Sequence, residues 1–431
     1  MTGMSDRVSP VKTRKDREFG GPVGNMAIMT ALPALVYYLY FCVRFNHGDI
    51  IPHGAIDYAP FAGFIDSIIP TRQAALIFGS WILFQALLQA FLPGKAVRGA
   101  RLKDGSRLVY KMNGPASFVI TLVLLAVLAG TGLIGMDIIY NNFGALVSVV
   151  IIFVVVFSFF LYGYGSISGQ ADDPSGSRIH DFFMGVALNP RIPPVTGFDL
   201  KFFCEARPGL IGWLAVSASF MGVQYMKHGY VTAAMVLVVA FQFLYIADYF
   251  WHEEAILTTT DIVNDRFGFM LAFGDLAWVP LTYSLQAFYL IEHTHDLPVW
   301  GIILMVILNM TGYYLFRAVN IQKHRFRTDP EYRIRGKKPE YIQTAQGNRL
   351  LVSGFWGWSR HFNYVGDIMM ALAWCLPCLF ESPLPYFYVI YFTILLVHRE
   401  RRDDKKCSEK YGKDWEEYRK RVRWRILPGV Y

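Results

Sequence analysis

The chain has 431 residues, of which 54% are hydrophobic, 16% aromatic and 17% charged, and its mean hydropathy is +0.32. These proportions are more apolar than those of a soluble domain of this size, so they exclude an ordinary soluble protein and predict an integral membrane protein. The net charge of +8 does not predict nucleic-acid binding, because the basic residues fall between apolar runs, where orientation in a bilayer accounts for them.

Ten apolar runs follow a polar segment at residues 1–24. Most are near the roughly 20 residues that a helix needs to cross the hydrocarbon, and the last two are shorter. The runs lie at residues 25–43, 73–92, 115–136, 144–164, 209–227, 230–250, 268–290, 299–317, 365–380 and 384–398. Because the first run is long enough to span, we do not expect it to be a cleaved signal. The sequence therefore predicts an all-α, polytopic integral membrane protein with about ten transmembrane helices.

The distribution of Lys and Arg predicts how these helices are oriented. If the N-terminus is cytoplasmic, the outside loops contain only Arg44, Arg72 and Lys227 of the 41 basic residues. This bias agrees with the positive-inside rule. We therefore expect both termini to be cytoplasmic, with residues 1–24 as a short tail, in the endoplasmic reticulum of a eukaryote or the inner membrane of a bacterium.

The loop at residues 165–208 is expected to lie on the cytoplasmic side as well. A Gly/Ser/Asp-rich linker leads there into Asn189-Pro190-Arg191, and Pro193 and Pro194 follow, so the segment cannot form a regular helix. We interpret it as a structured cytoplasmic loop, with an ordinary connector as the alternative.

Two of the apolar runs carry polar side chains that a lipid-facing helix does not need. Near the end of the sixth run, Tyr245, Asp248, Tyr249 and His252 share one helix face by their spacing. Asp275 lies well inside the seventh run. A buried acid in a membrane costs roughly 3 kcal/mol or more, which points to a partner or a wet cavity, or else to a satisfied structural hydrogen bond.

Two charged blocks bracket the last apolar hairpin, at residues 347–367 and 398–425. The first, GNRLLVSGFWGWSRHFNYVGD, mixes Arg, His, Asn and Asp with Trp and Tyr, and the second repeats the theme. Neither a lipid-facing helix nor a plain linker needs this mixture. Because both blocks can face the same side of the membrane, we interpret them as a site that holds a dinucleotide at the mouth of a membrane cavity.

The residue types fit a nicotinamide dinucleotide phosphate, whose phosphates need cations, whose rings need flat surfaces and whose carboxamide needs polar groups. The candidates are, for the phosphates, Lys323, Arg325, Arg327, Arg399, Arg401 and Arg402; for the rings, Trp356 and Tyr364; and for the carboxamide, Asn363, Asp403, Tyr411 and Tyr418. No GxGxxG follows a strand, so a Rossmann site is not predicted. An anionic-lipid patch is the alternative, and it explains the basic residues but not the interleaved Trp, Asn and Asp.

No metal site is predicted. Cys375 and Cys378 form a CxxC within an apolar helix, without the second pair or the histidine that would complete such a site, so we expect them to pack in the interior.

The segment LLVSGFWGWSRHFNYVGD, the ALAWCLPC behind it and the C-terminal block from LPYFYVIYF to RILPGVY resemble the sterol reductase family. That family includes the delta-14-sterol reductases, 7-dehydrocholesterol reductase and the membrane half of the lamin B receptor. The likeness also covers DFFMGVALNPRI and FGFMLAFGDLAWVP, so it runs from about residue 178 to the end, and more weakly through the first four runs. It implies an enzyme that uses NADPH to reduce a ring double bond of a sterol taken from the bilayer.

The resemblance also implies which residues bind NADPH. The family's cofactor positions match Lys323, Arg327, Leu351, Trp356, Asn363, Tyr364, Arg399, Asp403, Cys407, Tyr411 and Tyr418. These residues predict a cytoplasm-facing cofactor pocket in a catalytic region at 209–431, preceded by an N-terminal membrane region at 25–208.

The double bond that is reduced is indicated by two sets of segments. FDLKFFCEARPGLIGW, EEAILTTTDI and LAFGDLAWVP are similar to the delta-14 branch, whereas GFWGW and RHFNYVGD, with Phe where that branch usually has Pro, are similar to the delta-7 branch. The Phe that departs from the delta-14 pattern lies in the cofactor block rather than in the membrane segments expected to touch the sterol. We therefore favour reduction at carbon 14 and keep a delta-7 reductase as the alternative.

The mechanism that the resemblance implies is protonation of the alkene, followed by hydride transfer to the resulting tertiary carbocation. Aromatic faces would stabilise this cation by about 2 kcal/mol where water is excluded. The proton donor must lie near the hydride face, within hydrogen-bond reach of a water or of the alkene carbon. We expect Tyr245 to be the donor and Asp403 to polarise the nicotinamide end, with an interfacial aromatic anchor as the alternative for Tyr245.

Two other classes of protein share some of these features. Isoprenylcysteine-type methyltransferases also have an Arg-His-x-x-Tyr element and a basic tail with tyrosines, but they are shorter and lack the matches upstream of residue 300. A non-enzymatic sterol-binding or scaffold protein would be expected to carry a large soluble domain before the first span, for which residues 1–24 are too short. We expect a sterol and membrane lipids as partners, and no nucleic acid. The sequence predicts no oligomeric state.

Overall fold

The computed structural model describes residues 18–51, 58–101, 105–171, 175–192 and 198–431. The chain there is mostly helical, with two small antiparallel β-hairpins that the all-α prediction omits. Most of the predicted N-terminal tail, and Pro193 and Pro194 of the predicted loop, lie outside the described residues.

Six of the described helices are long and apolar enough to cross a membrane. They lie at Glu18–Phe45, Arg72–Phe91, Phe143–Ile167, Leu200–His228, Ala233–Trp251 and Val299–Thr328. Large apolar side chains along them are exposed, for example Leu76 (62%), Phe159 (63%) and Ile307 (55%). Such exposure is unfavourable in water and expected of helices that face lipid. The protein is therefore an integral membrane protein, and the count of about ten spans stays a prediction.

Three helices in the first part of the chain begin with a residue that commonly caps a helix. Thr71, Ser177 and Asp199 each cap a helix by accepting a hydrogen bond from a backbone N–H in its first turn. The elements are α1 (Gly21–Phe45), α2 (Tyr58–Ser67), α3 (Arg72–Phe91), β1 (Lys95–Arg101), β2 (Arg107–Met112), α4 (Gly114–Gly130), α5 (Ile138–Asn141), α6 (Phe143–Ile167), α7 (Arg178–Met184), α8 (Leu200–Ala206), α9 (Pro208–His228) and α10 (Ala233–Trp251).

The second part of the chain contains shorter helices around one very long one. The elements are α11 (Thr260–Val263), α12 (Phe269–Phe273), α13 (Val279–Thr282), α14 (Leu285–Glu292), α15 (Val299–Thr328), β3 (Tyr341–Gln343), β4 (Arg349–Leu351), α16 (Phe355–Trp358), α17 (Asn363–Cys375), α18 (Phe387–Tyr411) and α19 (Lys413–Arg421). Strand β3 pairs with β4, as β1 does with β2, in antiparallel register.

The seventh apolar run contains a π-helical turn, and a turn at residues 283–284 ends its first helical part. It divides into α12, a π-helical turn at Gly274–Trp278, α13 and α14. Pro280 stands at the start of α13, where its missing N–H and its ring disturb the helical hydrogen-bond ladder. Asp275, the acid noted in this run, lies in the π-helical turn. π-Helical turns occur frequently at functional sites.

Helix α15 is longer than its apolar run. The run ends at residue 317, whereas the helix continues to Thr328 and carries the polar sequence RAVNIQKHRFRT out of the apolar region. Glycines bring α15 and α17 close, since a Cβ on Gly312 would lie 2.8 Å from Gly366 O and one on Gly366 would lie 2.5 Å from Gly312 O. Small residues at such a crossing let two membrane helices approach. This contact positions the start of α17 relative to α15.

The chain forms two compact units. The first comprises Met1–Lys227 and Phe243–Ser284, and the second comprises His228–Gln242 and Leu285–Tyr431. The predicted regions at 25–208 and 209–431 remain a functional prediction.

Candidate cofactor site

The polar end of α15 meets α16 around Trp356. The Trp356 side chain is buried, and its indole Nε1 donates to Val319 O at 3.0 Å. Gln322 Oε1 accepts a hydrogen bond from Phe355 N at 2.9 Å and so ties α16 to α15. Lys323 Nζ lies 3.8 Å from the centroid of the Trp356 ring, a cation–π contact. A cation and a flat ring are thus held in one place, as a phosphorylated aromatic ligand requires.

Leu351 and Arg327 complete this part of the site. Leu351, at the end of β4, is buried and packs with Trp356 in one apolar cluster. Arg327 is exposed, lies one turn after Lys323 on α15 and interacts with it electrostatically. Leu351 therefore supports the indole, and Arg327 presents a second positive charge at the surface.

Helix α18 presents a stripe of predicted residues. Arg399, Asp403, Cys407 and Tyr411 follow one another at intervals of four, which places them along one side of the helix. Cys407 Sγ lies 3.9 Å from Asp403 Oδ2, and Lys323 interacts electrostatically with both residues. The stripe therefore belongs to the same site as the Lys323–Trp356 contact.

The turn before α17 also reaches this stripe. His361 Nε2 lies 3.5 Å from Asp403 Oδ2, and the His361 ring stacks on Tyr364 with centroids 4.9 Å apart and planes 19° from parallel. Asp403 is half exposed, whereas His361 is buried. Two parallel rings thus lie beside an accessible carboxylate.

Asn363 provides a direct test of whether the site fits a nicotinamide. Its side-chain Oδ1 is buried, and it accepts no hydrogen bond within the part of the chain that the structure describes. An unmatched buried acceptor costs about 1–3 kcal/mol, so native proteins usually pair it. A carboxamide N–H is a suitable donor, and the residues present therefore fit the dinucleotide.

The remaining tyrosines lie where α18 and α19 meet. Tyr418 is buried, its ring lies 4.8 Å from that of Trp415, and Tyr411 and Cys407 pack against the same cluster. Burial raises the pKa of the Tyr418 hydroxyl above its usual range, so this group stays protonated and able to donate.

All the predicted cofactor residues lie in the second unit, whereas the predicted proton donor Tyr245 lies in the first. Tyr245 is half-buried on α10, and its ring centroid is 6.2 Å from that of Trp213. Its role as the donor stays a prediction.

A buried charge network behind α18 was not predicted from the sequence. Glu400 and Asp404 are also four residues apart, on the buried side of α18. Arg425 Nη1 lies 2.8 Å from Glu400 Oε2, and Arg419 Nη2 lies 2.7 Å from Asp404 Oδ2. Arg360 Nη2 lies 3.8 Å from Glu400 Oε1. The only sequence signal was a second acidic pair at helical spacing, beside the stripe already assigned to the cofactor.

This network joins the turn before α17 to the C-terminal segment. Arg360 Nη1 donates to Val422 O at 3.0 Å, and the Arg360 and His361 N–H groups donate to Trp424 O and Arg425 O at 3.0 and 2.9 Å. The turn that leads into Asn363 is therefore held from behind by residues 422–425.

Acid is expected to weaken the protein through His361. Burial, with Lys323 and Arg360 nearby, lowers the pKa of His361 to about 3, and these effects outweigh the opposing effect of the Asp404 carboxylate. In the unfolded chain, the His361 imidazole takes up a proton near its ordinary pKa of about 6.5, whereas in the folded chain it stays neutral. The free energy of unfolding is therefore at its full value above pH 6.5 and decreases as the pH falls towards 3.

Between pH 6.5 and 5, this difference corresponds to about 2 kcal/mol of unfolding free energy. Unfolding of the wild type should therefore depend more steeply on pH than that of His361→Gln, whose side chain does not titrate. Thermal unfolding of both proteins at pH 7 and pH 5 measures the difference, and equal slopes would contradict a neutral buried His361.

A family model and individual known proteins match this chain over almost its whole length, and the matches agree with one another. The model of the ergosterol biosynthesis ERG4/ERG24 family matches residues 13–431. The chain is 51% identical over 416 residues to a delta(14)-sterol reductase of Methylotuvimicrobium alcaliphilum, covering 96% of each chain. It is 43% identical to the delta(14)-sterol reductase of Dictyostelium discoideum, covering 97% of this chain and 93% of the other, and 42% identical to that of Schizosaccharomyces pombe, covering 97% and 98%.

Proposed function

The chain belongs to the ergosterol biosynthesis ERG4/ERG24 family, and on that basis we propose that it reduces the carbon-14 double bond of a sterol intermediate with NADPH. The observation that carries the reaction is the full-length similarity to proteins named delta(14)-sterol reductase, at 42–51% identity. These relatives favour the delta-14 branch over the delta-7 branch, although GFWGW and RHFNYVGD are similar to the latter.

The cofactor is proposed from the residues of the second unit. Lys323 and Arg327, with Arg399, would hold the phosphates, and Trp356 and Tyr364 would contact the rings. Asn363, whose buried Oδ1 lacks a donor among the described residues, would accept a hydrogen bond from the carboxamide. NADPH, when bound, supplies a hydride. The half-exposed Asp403 carboxylate, 3.5 Å from His361 Nε2, would polarise the nicotinamide end.

The proton is proposed to come from Tyr245. Its hydroxyl would donate to the less substituted alkene carbon, leaving a tertiary carbocation that accepts the hydride. Tyr245 lies beside Trp213, and aromatic faces of this kind stabilise a cation where water is excluded. The sterol would enter from the bilayer, and the cofactor would enter from the cytoplasm, where we place both termini.

Sterol product analysis tests this function. Purified full-length protein is incubated with NADPH and, in separate reactions, with a delta-8,14 diene and a delta-5,7 diene, and the products are resolved by mass spectrometry. We expect loss of the delta-14 bond alone, with NADH supporting at least about ten-fold less turnover because the 2′-phosphate contacts are lost.

Reduction of only the delta-5,7 diene would contradict the delta-14 assignment and favour the delta-7 branch. Failure to reduce either diene while NADPH still binds would contradict the proposed reaction. Equal turnover with NADH would contradict the 2′-phosphate site.

A further inference from the structure

A buried polar cluster lies in the first unit, around Arg207 between α8 and α9. Arg207 is 0% exposed, and its Nη2 donates to Asn113 Oδ1 at 2.6 Å and to Glu253 Oε1 at 2.9 Å. Glu253 Oε2 accepts a hydrogen bond from Gly114 N at 2.9 Å. With Tyr249, these side chains form what we call the Arg207 cluster: Asn113, Arg207, Tyr249 and Glu253.

The cluster has more hydrogen-bonding groups than the described residues satisfy. Arg207 Nε, Arg207 Nη1 and the Tyr249 hydroxyl are all buried, and none has a hydrogen-bond partner among the described ranges. Each such group costs about 1–3 kcal/mol if it is left unmatched. Native proteins satisfy groups of this kind with buried water, which makes about three hydrogen bonds to its surroundings. The cluster is therefore built to hold water between ionisable side chains.

Tyr249 connects this cluster to the predicted proton donor. Tyr245 and Tyr249 are four residues apart on α10, about 6 Å along the helix axis, so they lie on the same side of the helix. The charged groups that face Tyr249 come from several elements: Glu205 of α8, Arg207, Glu253 after α10 and Asp275 of the π-helical turn. Tyr249 therefore lies one helical turn from Tyr245 and interacts with a group of acids.

Glu253 is buried, but its neighbour in the chain is not. The following residue, Glu254, is half exposed and pairs with Lys95 at 2.7 Å, whereas the Glu253 side chain is only 3% exposed. Burial raises the pKa of Glu253 above its ordinary value, although Arg207 and the Gly114 N–H act in the opposite direction. A carboxyl group of this kind exchanges its proton more readily near neutral pH than an exposed one does.

We propose that the Arg207 cluster returns a proton to Tyr245 after each reduction. The inference rests on the proposed function, in which Tyr245 gives up its hydroxyl proton. Tyr249 then donates its hydroxyl proton, through one water, to the Tyr245 oxygen and receives a proton from the Glu253 carboxyl, which is reprotonated by external water. Each transfer breaks one O–H bond and forms another, so one proton enters per double bond reduced and nothing is oxidised or reduced in the relay. Arg207 is a positioning residue that holds Glu253.

Tyr249→Phe removes the relaying hydroxyl and little else, and its kinetics test the proposal. With the delta-8,14 diene and NADPH at pH 8, we expect kcat to fall at least about ten-fold with unchanged KM values. The solvent deuterium isotope effect on kcat should increase, and kcat should recover as the pH is lowered towards 6, because hydronium then replaces the relay. Glu253→Gln, which can still accept from Gly114 N, should show the same pattern.

Glu254→Gln is the matched control, since it changes the neighbouring exposed acid, and it should keep wild-type kinetics. NADPH titration and thermal unfolding show whether each variant is folded. Wild-type kcat and a wild-type solvent isotope effect in Tyr249→Phe would overturn the relay, and so would a loss of kcat that neither depends on pH nor changes the isotope effect. A wild-type protein that does not reduce the diene would instead contradict the proposed function, so the two failures are distinguishable.

Discussion

Replacing Tyr245 with phenylalanine is expected to lower the rate of carbon-14 reduction by at least about 100-fold, because the alkene then loses its general acid. The substitution deletes one oxygen atom and leaves the ring that packs beside Trp213. A water molecule could deliver the proton in its place, but an unpositioned donor forgoes much of the advantage of proximity. We therefore expect kcat to fall while the KM for NADPH stays unchanged.

The rate is measured as sterol product formed per unit time by purified wild-type and variant proteins, and NADPH affinity is measured separately by titration. Tyr283→Phe is a matched control. The Tyr283 ring also packs against Trp213, with centroids 5.4 Å apart, and Tyr283 is half-buried, as Tyr245 is. We expect Tyr283→Phe to retain wild-type turnover. Full turnover in Tyr245→Phe would remove Tyr245 from the mechanism and favour its alternative role as an interfacial anchor.

Replacing Glu400 with alanine is expected to release the C-terminal segment from the turn before α17. Glu400 is 0% exposed and pairs with Arg360 and Arg425, so its loss leaves the buried Arg360 with Asp404 as its nearby carboxylate and without its ion pair to Glu400. Removing one member of a buried ion pair costs about 3–5 kcal/mol, because the other charge stays desolvated. The tail also loses the hydrogen bond from the Tyr431 hydroxyl to Glu400 Oε2, at 3.3 Å.

Hydrogen exchange provides the measurement. The N–H groups of Arg360 and His361, which donate to Trp424 O and Arg425 O, should exchange at least about 100-fold faster in Glu400→Ala, as a loss of about 3 kcal/mol implies. NADPH should also bind more weakly, since the loosened turn leads directly into Asn363.

Glu409→Ala is the control for Glu400→Ala. Glu409 lies on the same helix but is 66% exposed, and its pair with Lys405 spans 3.8 Å. Exposed pairs of this kind contribute about 0–1 kcal/mol, so exchange at residues 360 and 361 should not change. Unchanged exchange in Glu400→Ala would mean that backbone hydrogen bonds alone hold the turn.

The candidate cofactor site could be predicted because its residues are of unusual types at regular spacing. Lys323 and Arg327 are four apart on a helix, as are Arg399, Asp403, Cys407 and Tyr411, so each set defines one side of a helix without reference to tertiary structure. Family resemblance then supplied Leu351, an apolar residue that no pattern of charge or spacing could single out. Which of these residues touch the cofactor stays a prediction.

Other features depend on contacts between distant segments. The sequence of the seventh run is mostly apolar and therefore predicted one span, whereas a π-helical turn and a break at residues 283–284 interrupt it. Strands β1 and β2, KAVRGAR and RLVYKM, do not alternate strictly between polar and apolar residues, and β3 and β4 have only three residues each.

Composition and the lengths of the apolar runs by themselves determined that this protein is embedded in a membrane, and the resemblance of its motifs indicated a sterol reductase. These properties are local, so they can be read without knowledge of packing. Only the tertiary structure decided that Glu400 pairs with Arg360 in the turn before α17, and that Arg207 and Glu253, 46 residues apart, share one buried cluster. In sequence these residues are ordinary charges. Their partners come from other segments of the chain, and an electrostatic interaction is strong only where folding removes the charges from water.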